Sequence, residues 1–365
     1  MNKRPLNAIL FTHDDLDGAG CRILWEVLCD GMSPETWDVV NCSNYNVDLK
    51  VQDFLENGNY DESTIVAFAD ICACRPILEE VVRTFKNVKV WDHHSTNLFA
   101  SGIVKDAKII PTINDANKLE SGTSIMFNTF CEAAKDPSNN GILGLSKFTI
   151  DNPEFRNLEL FVDMIRSYDT YEFKLTGLMT PKYLQILFDL CAMNNFVKRY
   201  VDRFTGKTEF KYSCSEDDYA GRLINRYDME FVNTKKEKED QLIANITPDD
   251  IIDLTIKNSD GTGVYRVALM YKTVPCNFSE LAHVFLQKYP QYDIMCRFSL
   301  FNYGRFDFRT QRDNINLGEN IAAPLGGGGH PKAAGAPLDQ NCKQWMVDSI
   351  INALHANKID INTLN

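Results

Sequence analysis

The first hundred residues alternate between short apolar runs and segments with helical spacing. Residues 21–28 and 75–84 carry apolar side chains on one face and predict helices. Four apolar runs predict buried strands: residues 6–11, 37–40, 64–69 and 88–91. Such alternation is typical of a parallel sheet that is covered by helices on both faces. The sequence therefore predicts an α/β fold for this part of the chain.

The length of the chain favours two domains, because 365 residues exceed what one ordinary core accommodates. We expect a first domain at residues 1–180, a helical connector at 181–245 and a smaller α/β domain at 246–365. For the smaller domain the patterns predict the following elements. They are a helix start at 247–250, strands at 265–271, 292–300 and 305–310, a helix at 279–288, a glycine run and a final helix.

Composition and charge limit the classes of function. Apolar residues make up 44% of the chain and charged residues 24%, which is the balance of a soluble globular protein. No segment resembles a membrane span, and residues 1–11 lack the apolar length of a signal peptide, so we expect a cytoplasmic protein. The 11 cysteines are scattered and lack zinc-site spacing, which favours reduced thiols. A net charge of −12 disfavours binding to long duplexes and favours short anionic ligands.

Three of the predicted strands end in carboxylate and imidazole side chains. Ligands of an open α/β sheet bind beyond the carboxyl ends of its strands, so these side chains should meet at one place. So many carboxylates need counter-charge, which two divalent cations would supply. Mixed carboxylate and imidazole ligation suits manganese. The side chains concerned are His13, Asp15, Asp17, Asp70, Asp92, His93 and His94.

A second group of candidate functional residues surrounds a run of four glycines at residues 326–329. Successive glycines allow backbone N–H groups to converge on an anion, and a helix start after them would add positive potential. His330 and Lys332 follow the run and can add charged donors. Arg309 closes a predicted strand shortly before it and can hold a phosphate with two parallel hydrogen bonds. This pattern predicts an anion-binding site in the second domain.

Together these segments resemble the DHH phosphoesterase family with its DHH-associated C-terminal domain. The resemblance covers nearly the whole chain and is carried by six segments. They are residues 12–18 (THDDLDG), 68–71 (FADI), 92–94 (DHH), 166–169 (RSYD), 308–310 (FRT) and 326–335 (GGGGHPKAAG). Residues 120–124 (ESGTS) also resemble a helix start near the family's site. The resemblance implies a parallel-sheet DHH domain, a smaller α/β DHH-associated domain, and an active site in the cleft between them.

The resemblance also implies two sets of metal ligands. They are His13, Asp15 and Asp70 for one ion, and Asp17, Asp70, His93 and Asp169 for the other. Asp70 would bridge the two ions, and Asp15 and Asp70 would be catalytic residues. Asp163 lies near Asp169 in the chain and is the alternative carboxylate of that segment.

The implied substrate contacts come from both domains. His94 would contact a substrate phosphate, while Asp92 would orient a histidine. Arg309 and His330 would act with His94 in catalysis by binding the substrate from the second domain. The backbone of the glycine run would also contact the substrate, through Gly327, Gly328 and Gly329.

Within the family the resemblance is greatest to the nano-RNases of the oligoribonuclease branch. It implies hydrolysis of short oligoribonucleotides to mononucleotides by two-metal activation of water, with Mn²⁺ as the favoured ion. Members of this branch also act on 3′-phosphoadenosine 5′-phosphate or cyclic nucleotides. The alternatives are a cyclic-dinucleotide phosphodiesterase, a single-strand DNA exonuclease and a nucleotide-sensing module without catalysis. The expected partner is a short RNA or nucleotide, with no membrane and no long duplex, and the oligomeric state stays open.

Overall fold

The computed structural model describes residues 7–111, 113, 118–139, 144–208, 219–257, 263–272, 274–299 and 304–338. The chain divides into two compact units, Met1–Lys236 and Glu237–Asn365. The final helix that the sequence predicts falls after residue 338 and lies outside the described residues. Within the described residues, no helix has the length and apolar character needed to cross a membrane.

A five-stranded parallel sheet forms the centre of the first unit. Its strands are β1 (Ala8–His13), β2 (Trp37–Cys42), β3 (Ile65–Ala69), β4 (Asn87–Asp92) and β5 (Lys108–Ile109), in the spatial order β2-β1-β3-β4-β5. The α-helices described in this unit begin with α1 (Leu16–Leu28), α2 (Val47–Asn57), α3 (Arg75–Thr84) and α4 (Gly122–Ala134). They continue with α5 (Phe155–Asp169), α6 (Glu172–Thr176), α7 (Thr180–Phe204) and α8 (Tyr219–Leu223). A further helix, α9 (Arg226–Ala244), crosses the boundary between the units in the chain.

Apolar side chains on both faces of this sheet form the core of the first unit. Leu10 on β1 packs in a cluster with residues of α1, α4, α5 and α7. Its neighbour Phe11 packs on the opposite face with residues of α2 and α3. Successive strand residues point to opposite faces, so a strand buried on both sides is apolar throughout. The prediction of an α/β fold with a parallel sheet covered on both faces is confirmed.

Two helices of the first unit differ from what the sequence patterns indicate. The helix α2 was not predicted, because it buries only Val47, Val51 and Phe54 and its apolar stripe is therefore narrow. The helix α7 occupies the first part of the segment predicted as a helical connector, but it is not a separate connector. It buries Leu184, Leu187 and other apolar residues in the core of the first unit.

The second unit contains a six-stranded mixed sheet. Its strands are β6 (Ile251–Lys257), β7 (Val264–Met270), β8 (Ile294–Ser299), β9 (Arg305–Thr310), β10 (Gly328–His330) and β11 (Ala333–Pro337), in the spatial order β10-β11-β9-β8-β7-β6. Among the strands described in this unit, only β7 and β8 pair in parallel. The helix α10 (Phe278–Lys288) covers one face of the sheet through Leu281 and Phe285.

The helix start predicted at 247–250 is a single 3₁₀ turn, Pro248–Asp250, that leads into β6. Its capping signature is present, because the Thr247 N–H donates to Asp250 Oδ2 at 3.0 Å. The β-branched residues that follow favour a strand, which ends the turn.

The glycine run forms part of a β-hairpin, so the prediction of a helix start after it is wrong. Pro331 and Lys332 form the turn between β10 and β11, and β11 pairs with β9. Gly329 has a φ of 135°, and a Cβ atom there would lie 2.6 Å from the Ala333 carbonyl oxygen. Only glycine fits this close pairing. A helix N-terminus therefore contributes no positive potential to anion binding at this position.

Candidate metal centre

The carboxyl ends of β1, β3 and β4 bring the predicted metal ligands of the first unit together. Because β3 lies between β1 and β4, the residue that follows it sits between the other two ligand segments. That residue is Asp70, which is buried and has a left-handed φ of 59°. A non-glycine residue in this conformation costs roughly 1–2 kcal/mol. The surrounding fold therefore holds Asp70 in a strained position at the centre of the site.

His13, Asp15 and Asp70 form a first cluster whose ligand atoms all lie within 4.8 Å of one another. His13 Nδ1 is 2.6 Å from Asp15 Oδ2 and 3.8 Å from Asp70 Oδ2. Asp15 is the N-cap of α1, and its Oδ1 accepts a hydrogen bond from the Gly18 N–H at 3.0 Å. The start of α1 thereby fixes this carboxylate beside the end of β1.

Asp17, His93 and Asp169 form a second cluster, again with ligand atoms within 4.8 Å of one another. His93 Nε2 lies 3.4 Å from Asp169 Oδ2 and 3.9 Å from Asp17 Oδ2. The same nitrogen lies 3.2 Å from Asp70 Oδ1. Asp70 therefore adjoins both clusters, one through each of its carboxylate oxygens.

The helix α5 brings Asp169 to this cluster and directs Asp163 elsewhere. Asp169 is the last residue of α5, whereas Asp163 Oδ1 accepts hydrogen bonds from Arg166 Nε and Nη2 at 3.0 and 2.9 Å. Arg166 Nη1 also donates to the Leu119 carbonyl at 3.0 Å. Of the two carboxylates that the sequence left open, Asp169 is the one placed beside His93.

The buried carboxylate of Asp92 organises the turn after β4. Its Oδ1 accepts hydrogen bonds from the backbone N–H groups of His93 and His94, at 2.7 and 2.9 Å, and lies 2.7 Å from His94 Nδ1. Its Oδ2 accepts a hydrogen bond from Asn97 Nδ2 at 2.7 Å. Asp92 therefore fixes the orientation of the His94 ring. Asn97 was not predicted, because a single asparagine beyond the motif carries no recognisable signal.

The charges of the two clusters are not balanced within the centre. Burial and the neighbouring carboxylates, Asp17 and Asp15 foremost, raise the pKa values of Asp70 and Asp169 well above the usual range. Burial lowers the pKa of His13, but the interactions with Asp15 and other carboxylates outweigh it and raise that pKa to about 9. An added positive charge would relieve this repulsion.

Two buried oxygen atoms of the centre provide a test of whether metal ions fit. Asp70 Oδ2 and Asp169 Oδ2 are inaccessible to solvent and accept no hydrogen bond from the described residues. Buried polar atoms normally have a partner, and an ion can take that place. The mixed carboxylate and imidazole donors suit a divalent transition-metal ion. The clusters therefore fit bound metal ions.

The chain is similar in sequence to a curated bacterial nuclease. It is 24% identical over 338 residues to the oligoribonuclease NrnB of Bacillus subtilis (strain 168), which covers 93% of this chain and 74% of that protein. NrnB is a DHH-family protein, and the DHH sequence of this chain, Asp92-His93-His94, lies in the centre described above.

Comparison with solved structures finds two named proteins that cover most of this chain at low similarity. The pGpG-specific phosphodiesterase PggH from Vibrio cholerae has a TM-score of 0.47 at 14% identity, covering 96% of this chain and 99% of that one. RecJ from Thermus thermophilus, solved in complex with Mn²⁺, has a TM-score of 0.45 at 15% identity, covering 92% of this chain and 50% of that one. No protein-family model matches the chain.

The second unit places Arg309 and His330 on one face of its sheet. Arg309 on β9 and His330 on β10 are both register partners of Ala333 on β11. Directly paired residues of neighbouring strands point to the same face, so the two side chains lie in one row. Arg309 Nε donates to Ser279 Oγ at 2.8 Å, and the guanidinium lies over the Phe278 ring at 5.5 Å from its centroid.

Other predicted anion contacts of the second unit are already engaged. The N–H groups of Gly326 and Gly327 donate to the carbonyls of Ala323 and Ala322 at 3.0 and 2.9 Å. Lys332 Nζ lies 2.8 Å from Asp313 Oδ1, which compensates its charge. The expected substrate contacts of Gly327, Gly328 and Gly329 stay predictions.

Proposed function

We propose that this chain is a metal-dependent phosphodiesterase that hydrolyses short oligoribonucleotides to mononucleotides. The main support is the position of Asp70. One of its oxygens lies 3.8 Å from His13 Nδ1, and the other lies 3.2 Å from His93 Nε2. A carboxylate placed between two ligand clusters can supply one oxygen to an ion in each of them, which suits a two-metal site. The similarity to an oligoribonuclease over 93% of the chain supports the substrate class.

Two divalent cations, with Mn²⁺ as the favoured ion, are the proposed cofactors. When bound, the pair would activate a water molecule and stabilise both the attacking and the leaving oxygen of a phosphodiester. The proposed ligands are His13, Asp15 and Asp70 for one ion, and Asp17, Asp70, His93 and Asp169 for the other.

The protein side chains around the metal ligands position the substrate. Asp92 holds the His94 ring through a 2.7 Å contact, and we assign His94 to a phosphate of the substrate. Arg309 and His330 share one face of the second sheet, and we assign them to another phosphate. A guanidinium group forms strong charge-assisted hydrogen bonds with phosphate oxygens, and an imidazole N–H can donate to them as well.

We expect Arg309→Ala to impair substrate binding without affecting the metal ions. Loss of a charged phosphate contact should lower kcat/KM roughly tenfold to a hundredfold, or about 1.5–3 kcal/mol. Arg312→Ala is the matched control, because Arg312 lies exposed just after β9 and its Nε is 3.1 Å from Asp293 Oδ1. Steady-state kinetics and metal analysis of both variants test the assignment. Metal loss in Arg309→Ala, or an equal kinetic defect in Arg312→Ala, would contradict it.

RNA of about two to five nucleotides should be cut faster than a 24-mer, because a chain of charge −12 offers little electrostatic attraction to a long phosphate tail. The measurement is kcat/KM over a length series at fixed salt and Mn²⁺, with identification of the mononucleotide products. Equal or faster cleavage of the 24-mer would favour a single-strand exonuclease. Faster hydrolysis of a cyclic dinucleotide than of a linear one would favour a cyclic-dinucleotide phosphodiesterase. Binding without turnover would favour a sensing module.

A further inference from the structure

The start of α4 binds the carboxylate of Asp17. The Gly122 N–H donates to Asp17 Oδ2 at 2.7 Å, and the Thr123 N–H donates to Asp17 Oδ1 at 3.1 Å. Each oxygen of this buried carboxylate therefore accepts a backbone hydrogen bond from the first turn of α4. Two such bonds fix the direction of the carboxylate as well as its position.

Thr123 holds Asp17 at a third point. Its Oγ1 donates to the Asp17 carbonyl at 2.7 Å and lies 3.6 Å from Cys21 Sγ. The Thr123 side chain is fully buried, so water does not compete for this bond. Thr123 therefore ties the first turn of α1, which carries Asp17, to the first turn of α4.

Gly122 lies against the other ligand segment. A Cβ atom at Gly122 would lie 2.6 Å from Asp70 Cβ and 3.0 Å from the Asp70 backbone nitrogen. The backbone of α4 therefore touches the strained residue Asp70 at the same place where it binds Asp17. The start of α4 is itself held in place by the capping box of Ser121 and Ser124.

We propose that Gly122 and Thr123 are positioning residues of the metal centre. They act through Asp17 and Asp70, whose separation they set, and so determine the spacing of the two ions. Such spacing matters because two-metal sites hold their ions about 3.5–4 Å apart. The inference rests on the metal centre of the proposed function but not on the identity of the substrate.

Thr123→Val tests this role, because it removes the hydroxyl and keeps the shape of the side chain. The full chain, stripped of metal with a chelator, is titrated with Mn²⁺ by calorimetry. We expect affinity at one of two sites to fall roughly tenfold to a hundredfold, as is usual when a group that orients a metal ligand is lost. The electron paramagnetic resonance spectrum of the bound Mn²⁺ pair should also change. Thr123→Ser restores the hydroxyl and should restore both readouts.

Thr129→Val on the same helix is the matched control. The Thr129 hydroxyl also donates to a helix carbonyl, that of Ile125 at 2.8 Å, but it does not contact a ligand in the described residues. Urea unfolding of the metal-free proteins separates lost stability from lost affinity. Wild-type Mn²⁺ affinity in Thr123→Val, or an equal loss of affinity in Thr129→Val, overturns the proposal.

Gly122→Ala is a second variant that does not depend on the hydroxyl. Its added Cβ should displace Asp70 and weaken Mn²⁺ binding at both sites. Undiminished binding of two Mn²⁺ ions would overturn the role of Gly122.

A wild-type protein that binds two Mn²⁺ ions but does not hydrolyse RNA would refute the proposed function, while the variant affinities would still decide the positioning role. A wild-type protein that binds no divalent cation would refute both.

Discussion

Asp70→Asn is expected to abolish turnover and metal binding at both clusters while the fold persists. Asparagine tolerates the left-handed φ of 59° at this position, so the backbone can stay as it is. Loss of the shared carboxylate should lower kcat by roughly a thousandfold or more, or about 4 kcal/mol. Metal analysis by mass spectrometry and single-turnover kinetics measure the two effects.

The same substitution should stabilise the metal-free protein. Without metal, Asp70 is a buried carboxylate beside Asp17, Asp15 and Asp169, and its Oδ2 accepts no hydrogen bond from the described residues. The neutral amide removes this repulsion and can donate to a neighbouring carboxylate, which should raise the free energy of unfolding by about 1–2 kcal/mol. Chelator-treated proteins are compared by urea unfolding.

Asp53→Asn, at an exposed position on α2, is the control for the effects on metal binding and turnover, and it should change neither. Two ions retained in Asp70→Asn, with turnover near that of the wild type, would refute the bridging assignment.

Asp169→Asn should remove one metal ion and lower kcat roughly a hundredfold to a thousandfold, because Asp169 Oδ2 lies 3.4 Å from His93 Nε2 in the second cluster. Asp163→Asn on the same helix is the matched control. Its carboxylate is 43% exposed and pairs with Arg166, which keeps its bond to the Leu119 carbonyl. Metal content and kcat of this control should stay within about threefold of the wild type, since exposed ion pairs contribute little. The reverse ranking of the two variants would move the ligand from Asp169 to Asp163.

The amino-acid sequence was sufficient to predict the α/β architecture of the first unit. The runs that form β1 and β3 are apolar on both faces, and this property belongs to the local sequence. The rule that ligands gather beyond the carboxyl ends of parallel strands then placed the ends of β1, β3 and β4 together. The structure brings His13, Asp70 and His93 to one centre, as these patterns predicted.

Elements with weak or ambiguous local patterns were not predicted correctly. The narrow apolar stripe of α2 did not stand out from a polar loop. The capping signature at Thr247 indicated a helix, but β-branched residues after one turn led into β6. The run from Gly326 to Gly335 was interpreted as a loop leading into a helix, whereas its pairing partner, β9, lies earlier in the chain.

The sequence by itself determined which segments supply the candidate ligands, because strand burial and motif identity are local properties. Only the tertiary structure shows that Asp169 lies beside His93 and Asp163 does not, since this depends on how α5 is rotated. It also shows that the start of α4 holds Asp17. The two hydrogen bonds join residues that are separated in the sequence by 105 and 106 positions. No periodicity or short motif specifies a contact at such a separation, because it arises from the packing of whole helices on the sheet.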